Sequence, residues 1–270
     1  MNTKTPLDSL LNLLDLETIE VNLFRGYHPE GRTRRLFGGQ IIAQALVAAM
    51  RTVPEDRLPH SVHAYFLRPG SPSLPALFRV ERIRDGRSFT TRRIVAVQNG
   101  KAIFNMDASF HLPEDGLEHQ MEMYDIKPPE EADLVAGLKQ RPFLSWRDDH
   151  KKLLANSPQE PIQRLWIKGN GLAPNDERLN MALLAYQSDE ALLGTARLPH
   201  RGKFERENMQ VASLDHSIWF HRPVSVNDWL LYSVESPVAA AARGYTRGTI
   251  HTASGKLVAS CIQEGLIRLL

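Results

Sequence analysis

The chain carries the same pattern twice. Residues 63–110 and 217–265 can be laid over one another with only small gaps. His-Ala-Tyr-Phe-Leu-Arg-Pro (His63 to Pro69) matches Ser-Ile-Trp-Phe-His-Arg-Pro (Ser217 to Pro223), and Arg-Ser-Phe-Thr (Arg87 to Thr90) matches Arg-Gly-Tyr-Thr (Arg243 to Thr246). Asn99-Gly100-Lys101 and Ser254-Gly255-Lys256 each sit between two apolar runs, as in a hairpin turn. Two copies about 155 residues apart are too few and too widely spaced for a solenoid, so the pattern predicts a fused pair of like domains. Whatever one copy folds into, the chain must contain two of them.

Composition agrees with this expectation. A chain of 270 residues that is 42% hydrophobic and 24% charged is ordinary globular material, long enough for two cores of about 120 residues each. Its 33 Lys and Arg against 31 Asp and Glu leave a formal charge of only +2, which argues against nucleic acid as a partner. Cys261 is the one cysteine and can form no internal disulfide, which fits a reducing compartment. No run approaches the roughly 18–20 apolar residues of a membrane span, and the start Met-Asn-Thr-Lys-Thr-Pro resembles no export signal. The last residues, Ile267 to Leu270, differ from a Ser-Lys-Leu peroxisomal signal, so a cytoplasmic, bacterial setting is expected.

Periodicity orders the elements. Leu7 to Leu14 reads as a short helix and Thr18 to Gly26 as a strand. Leu36 to Met50 is apolar on nearly every side, which describes a helix buried over most of its surface. Strand-like runs follow at Ser61–Leu67, Ala76–Asp85, Ser88–Gln98 and Lys101–His111. A helix without a polar face needs wrapping, and these strands are the material available. In the second copy, Leu179 to Gln187 is expected to be a strand running into Ser188-Asp189-Glu190, which has the form of a helix N-terminus for Ala191 to Arg197. Further strands are expected near Ala212–Phe220, Trp229–Val238, Arg243–Thr252 and Lys256–Arg268. The division expected is an N-terminal domain over 1–112, a linker over 113–145 and a C-terminal domain over 146–270; Pro113 to Pro142 is rich in Pro and acidic residues.

Four segments carry a resemblance to a known family: Gly38-Gly39-Gln40, His60 through Gly70, Ser213 through Pro223, and Gln263-Glu264-Gly265. They closely resemble the acyl-CoA thioesterase II family, over nearly the whole chain from Leu10 to Leu266. The resemblance implies an α+β double hotdog fold: two tandem hotdog domains, each a long helix wrapped by an antiparallel sheet, the sheets joined edge to edge. It also implies hydrolysis of fatty acyl-CoA to free fatty acid and CoA, with no metal or organic cofactor. Carried over by motif, the family's catalytic acid falls on Asp189, its hydroxyl on Ser213 and its glutamine on Gln263, all in the second copy. Serine stands at 213 where relatives often have threonine. Chains of this family also associate, so a homo-oligomer is expected, with Met121, Met123, Tyr124, Phe143 and Trp146 as a candidate surface.

The residue types suit that chemistry. A thioester has a good leaving group, so it needs a directed water and a place for the oxyanion more than strong acid assistance. Asp189 can take a proton from water while Ser213 and Gln263 fix its remaining hydrogen bonds. Backbone N–H groups near Gly39, or the Gln263 amide, are candidates for the oxyanion. Taken singly, Asp189 beside Ser188 reads as a helix cap, Ser213 as a strand serine and Gln263 as a polar residue on a sheet face. The first copy has Ala108 near the position of Gln263 and Gly-Gly-Gln where the second has Ser-Asp-Glu, which assigns chemistry to one half and scaffold to the other.

Competing assignments are weaker. Cys261 lies two residues from Gln263 on the same strand face, but no Cys-His spacing accompanies it. His60, His63, His216 and His221 flank the repeated strand; His60 is a conceivable base, although histidines beside aromatics on strands are mostly structural, and the four lack metal-site spacing. Arg32, Arg34, Arg35, Arg92 and Arg93 are candidates for the CoA phosphates. Two other functions fit a hotdog: a hydratase or dehydratase, which would need a histidine paired with the acid, and an acyl-CoA-binding protein without catalysis.

Overall fold

The structure is a computed structural model and describes residues 4–29, 35–130, 140–147 and 156–270. The first half contains α1 (Pro6–Leu14), β1 (Glu17–Glu20), β2 (Leu23–Gly26), α2 (Gly38–Met50), β3 (Leu58–Phe66), β4 (Ala76–Asp85), β5 (Phe89–Gln98) and β6 (Lys101–His111). The second contains β7 (Phe143–Trp146), β8 (Ile162–Gly169), α3 (Glu177–Ser188), α4 (Leu192–Ala196), β9 (Met209–Ser213), β10 (Asp215–Phe220), β11 (Leu230–Ala240), β12 (Arg243–Thr252) and β13 (Leu257–Leu269).

Among the described residues thirteen strands form one antiparallel sheet, ordered β1-β2-β4-β5-β6-β3-β10-β13-β12-β11-β8-β7, with β9 paired to β13 off this path. The order is palindromic: each strand of the first half has its counterpart at the same distance from the centre. The halves join where β3 pairs with β10, and there His63 faces Ser217, the two residues that head the repeated motif. A pseudo-twofold axis therefore passes between them. Joining the halves through these strands removes what would otherwise be two open edges.

The two long helices lie inside the curve of the sheet. From Gly39 to Met50 only Val47 of α2 escapes full burial, and Asn180 to Ser188 of α3 is buried throughout. They pack antiparallel. The backbone N–H of Gly39, at the start of α2, donates to Asp189 just beyond the end of α3, while the Arg178 guanidinium, at the start of α3, donates to Met50 O at the end of α2. The crossing is very close at Gly39, where a Cβ would stand 2.1 Å from Tyr186 O. Only a residue without a side chain permits that approach.

The structure alters several sequence expectations. Leu179 to Gln187 belongs to helix α3, not to a strand; a short, fully buried apolar run has no period that separates the two. The signals for a helix were present further upstream, because Asp176 accepts from Leu179 N as the N-cap. Ser188-Asp189-Glu190 is thus the end of a long helix and not the start of the short one. Thr18 to Gly26 is a hairpin, β1 and β2, turning at Asn22 with φ 59. The run from Ala212 to Phe220 breaks at Leu214 into β9 and β10, both paired with β13. Phe143, offered as part of an exposed surface, is 2% exposed, and Trp146 lies with it in β7, paired to β8; Met121 and Tyr124 are exposed as expected.

Gly39→Ala tests the helix crossing. Overpacking a close-packed contact typically costs about 1–3 kcal/mol, which should lower the thermal midpoint by roughly 3–10 °C. An unchanged midpoint would show that α2 and α3 do not approach closely at this point.

Candidate active site

A cavity of about 660 Å³ opens where the two halves meet at one end of the helix pair. Leu36, Phe37, Ile41, Phe66, Ile103 and Phe104 from the first half give it an apolar wall, and Asp189, Leu193 and residues 210–214 close it from the second. Arg35 and Arg68 also line it.

Asp189 occupies this cavity because of where α3 ends. It is the C-cap residue of α3, with helical backbone angles, and its side chain crosses to the N-terminus of α2, where Oδ2 accepts from Gly39 N at 2.9 Å. The N-cap position of α2 is Phe37, which has no side chain able to cap, so Asp189 supplies the acceptor from the other half. Its Oδ1 is buried and has no hydrogen-bond partner among the described residues. Ser213 ends β9 and lines the cavity; Gln263, on the inward face of β13, donates from Nε2 to Ser213 Oγ at 2.7 Å. The structure therefore brings Asp189, Ser213 and Gln263 together.

A fourth residue joins them. His216 on β10 is fully buried, with Nδ1 2.9 Å from Gln263 Oε1 and Nε2 2.9 Å from Ser188 Oγ. Sequence reasoning grouped it with structural histidines. The signal that distinguishes it is the repeat itself, because its counterpart in the first copy is Val62.

Burial is the largest influence on both ionisable groups. It pushes the Asp189 carboxyl above the usual carboxylate range, opposed by His216, the Gly39 N–H, Gln263 and Ser213. It pushes the His216 imidazolium below the usual histidine range, opposed by Asp189 and Gln263. Burial thus raises the proton affinity of the carboxyl and lowers that of the imidazole.

The other candidates lie elsewhere. Burial raises the Cys261 thiol to about 12, and Sγ contacts the Tyr232 hydroxyl, which in turn donates to Ser188 O. A thiol held in that state is a poor nucleophile. His60 bonds Ser109 and packs edge-on against Phe89, His63 bonds Ser217, and His221 bonds Ser260. Arg92 is buried and tied to Thr52 and Asp85, and Arg93 pairs with Asp107. Arg35 lines the cavity; Arg32 and Arg34 lie outside the described residues. The Gly39 N–H, suggested for the oxyanion, is already bound to Asp189.

A larger cavity of about 840 Å³ occupies the opposite end of the helix pair, between α1, the end of α2 and the start of α3. It is the pseudo-symmetric counterpart, and it lacks the polar set. Arg51 stands at the C-cap of α2 where Asp189 stands at that of α3. In the register of the repeat, Pro59, Val62 and Ala108 replace Ser213, His216 and Gln263, with Val62 directly opposite Ala108. Gly-Gly-Gln and Ser-Asp-Glu are consequently not equivalent segments, since one starts α2 and the other ends α3.

Comparison with known proteins agrees with this architecture. Residues 27–111 match the acyl-CoA thioesterase N-terminal domain and residues 143–266 the acyl-CoA thioesterase family model. The chain belongs to the acyl-CoA thioesterase family. It is 40% identical to acyl-CoA thioesterase 2 of Haemophilus influenzae, over 97% of this chain and 98% of that protein. The crystal structure of the acyl-CoA thioesterase II TesB2 from Mycobacterium marinum superposes with a TM-score of 0.83 at 41% identity, covering 97% of this chain and 98% of that one. A hot dog fold protein of unknown function from Alicyclobacillus acidocaldarius shares the fold at a TM-score of 0.79 and 18% identity, over 97% and 98% of the two chains. The fold is a double hotdog.

A carboxyl whose pKa is higher folded than unfolded contributes stability that is present at low pH and lost as pH rises through the folded value. Asparagine at 189 carries no charge and can still accept from Gly39. At pH 8, Asp189→Asn should therefore melt at or above the wild-type temperature, the gap closing as pH falls toward the ordinary carboxylate range near ~4. A midpoint several degrees below wild type at pH 8 would show that the ionised carboxylate stabilises the fold.

Proposed function

We propose that the protein hydrolyses fatty acyl-CoA to free fatty acid and CoA, with water activated by Asp189 and held by Ser213 and Gln263. The observation that carries this is the Asp189 carboxylate. One oxygen is fixed by Gly39 and the other is unpartnered at the wall of a largely apolar cavity. In this reading the acyl chain lies among Leu36, Ile41, Phe66, Ile103 and Phe104, and the thioester carbonyl comes to rest beside Ser213. Asp189 takes a proton as the water oxygen bonds to the carbonyl carbon. The tetrahedral intermediate then collapses with cleavage of the C–S bond, and the proton on Asp189 passes to the departing thiolate. The reaction as written requires neither metal nor organic cofactor. A hydratase reading is less favoured, because His216 has both ring nitrogens engaged by Gln263 and Ser188 and offers none to a substrate.

The proposal includes a cytoplasmic homo-oligomer in which each chain carries its own complete site. Asp189, Ser213 and Gln263 all come from the second half of one chain.

Thiol release from acyl-CoAs of several lengths, followed with a disulfide reagent, tests the activity; no release at any length would overturn it. Asp189→Asn should lower the rate by about 10²–10⁴, as for loss of a general base, while Cys261→Ser stays within about threefold. Retained activity in Asp189→Asn would remove Asp189 from the base role. Mixing Asp189→Asn chains with Gln263→Ala chains should restore nothing, and recovery would mean a site shared between chains.

A further inference from the structure

We propose that His216 is a positioning residue, which holds the Gln263 amide in the one orientation that leaves the Ser213 hydroxyl proton free for the cavity. The inference rests on the proposed roles of Gln263 and Ser213. It begins with hydrogen-bond direction. Gln263 Nε2 donates to Ser213 Oγ and Gln263 Oε1 faces His216 Nδ1, so Nδ1 must carry a proton. Burial keeps the imidazole neutral, which leaves Nε2 as an acceptor. The Ser188 hydroxyl can donate to Ala185 O at 2.9 Å or to His216 Nε2 at 2.9 Å, and with Nε2 unprotonated its proton goes to the ring.

A one-way chain results, from Ser188 to His216 to Gln263 to Ser213. Each member donates toward the cavity. At its end Ser213 already accepts from Gln263, so its own proton is available to Asp189 or to the attacking water. An amide turned by 180° would reverse this: Oε1 would draw the Ser213 proton away, and the hydroxyl could offer only a lone pair. A glutamine side chain has no preference between these orientations, and an imidazole protonated at Nδ1 supplies it.

The first half shows that packing alone does not call for this pair. At the equivalent place Val62 faces Ala108 across β3 and β6, two apolar residues in the same register. Burying a histidine and a glutamine instead is unfavourable unless each polar atom is satisfied. Only the second half carries that arrangement.

The test is a double-mutant cycle read as kcat and KM for acyl-CoA hydrolysis. His216→Val reproduces the first half's residue and strands Gln263 Oε1; kcat should fall by about 10–100-fold with KM within about twofold. His216→Asn retains a donor near the Nδ1 position and should recover kcat to within about fivefold of wild type, a rescue that a purely structural role would not produce. In a Gln263→Ala background, His216→Val should cost no more than about threefold further, because the group it orients is gone. His216→Val retaining full kcat, equal losses in His216→Val and His216→Asn, or additive losses in the double variant would each overturn the inference while leaving Gln263 in the mechanism. If His216→Val does not fold, His216→Asn decides: a loss as large as that of Gln263→Ala overturns the inference. Full activity in Gln263→Ala would instead overturn the underlying assignment.

Discussion

The hydrogen bond from Gly39 N–H to the Asp189 carboxylate, made where two buried antiparallel helices touch end to start, is the contact on which the rest of the site depends. Helix α2 begins inside the protein with no side chain of its own to satisfy its first N–H groups. An orphaned donor there would carry a desolvation penalty, and a carboxylate at a helix N-terminus also gains from the macrodipole. Asp189 meets both needs from the other half of the chain. The close approach required is possible because residue 39 has no side chain; a Cβ would collide with the last turn of α3 at Tyr186 O. A capping interaction between domains thus places a buried carboxylate, with one oxygen left over, beside an apolar cavity.

Pseudo-symmetry would by itself create two such places, one at each end of the helix pair. Both cavities are present, but the set of carboxyl, hydroxyl, glutamine amide and imidazole is at only one of them. At the other end Arg178 reaches across to Met50 O at the end of α2, Arg51 takes the place of the acid, and the corresponding strand positions are Pro59, Val62 and Ala108. Buried carboxylates and histidines oppose folding through desolvation, so a second set without a task would only subtract from stability. The first half contributes apolar wall and the amide that holds Asp189, and the second contributes the acid, hydroxyl, amide and imidazole.

Burial unites the chemistry with the fold. The same removal from water that raises the affinity of Asp189 for a proton depresses that of His216, so both shifts arise from one cause. Cys261 and Tyr232 lie behind this group, and their protons are likewise held by burial. Of Asp189, Ser213, Gln263 and His216, only Asp189 and Ser213 line the cavity.

Much of this was legible in the chain. The repeat alone implied two like domains, and β-branched and aromatic runs located most strands, because alternation along a half-buried sheet leaves a period of two in the sequence. The resemblance to a family supplied Asp189, Ser213 and Gln263. What the sequence could not indicate was anything decided by contacts between the halves. Leu179 to Gln187 reads equally as buried strand or buried helix, since a segment enclosed on every side has no polar face to mark its period. Asp189 looked like the cap of the helix that follows it and is instead the cap of a helix 150 positions earlier in the chain. His216 stands where the first copy has Val62, and its contacts become visible only once β10 and β13 set it against Gln263 and the end of α3 sets Ser188 against it. Local order follows from local pattern, whereas direction in a hydrogen-bond chain depends on which donors and acceptors tertiary packing brings within 3 Å of one another.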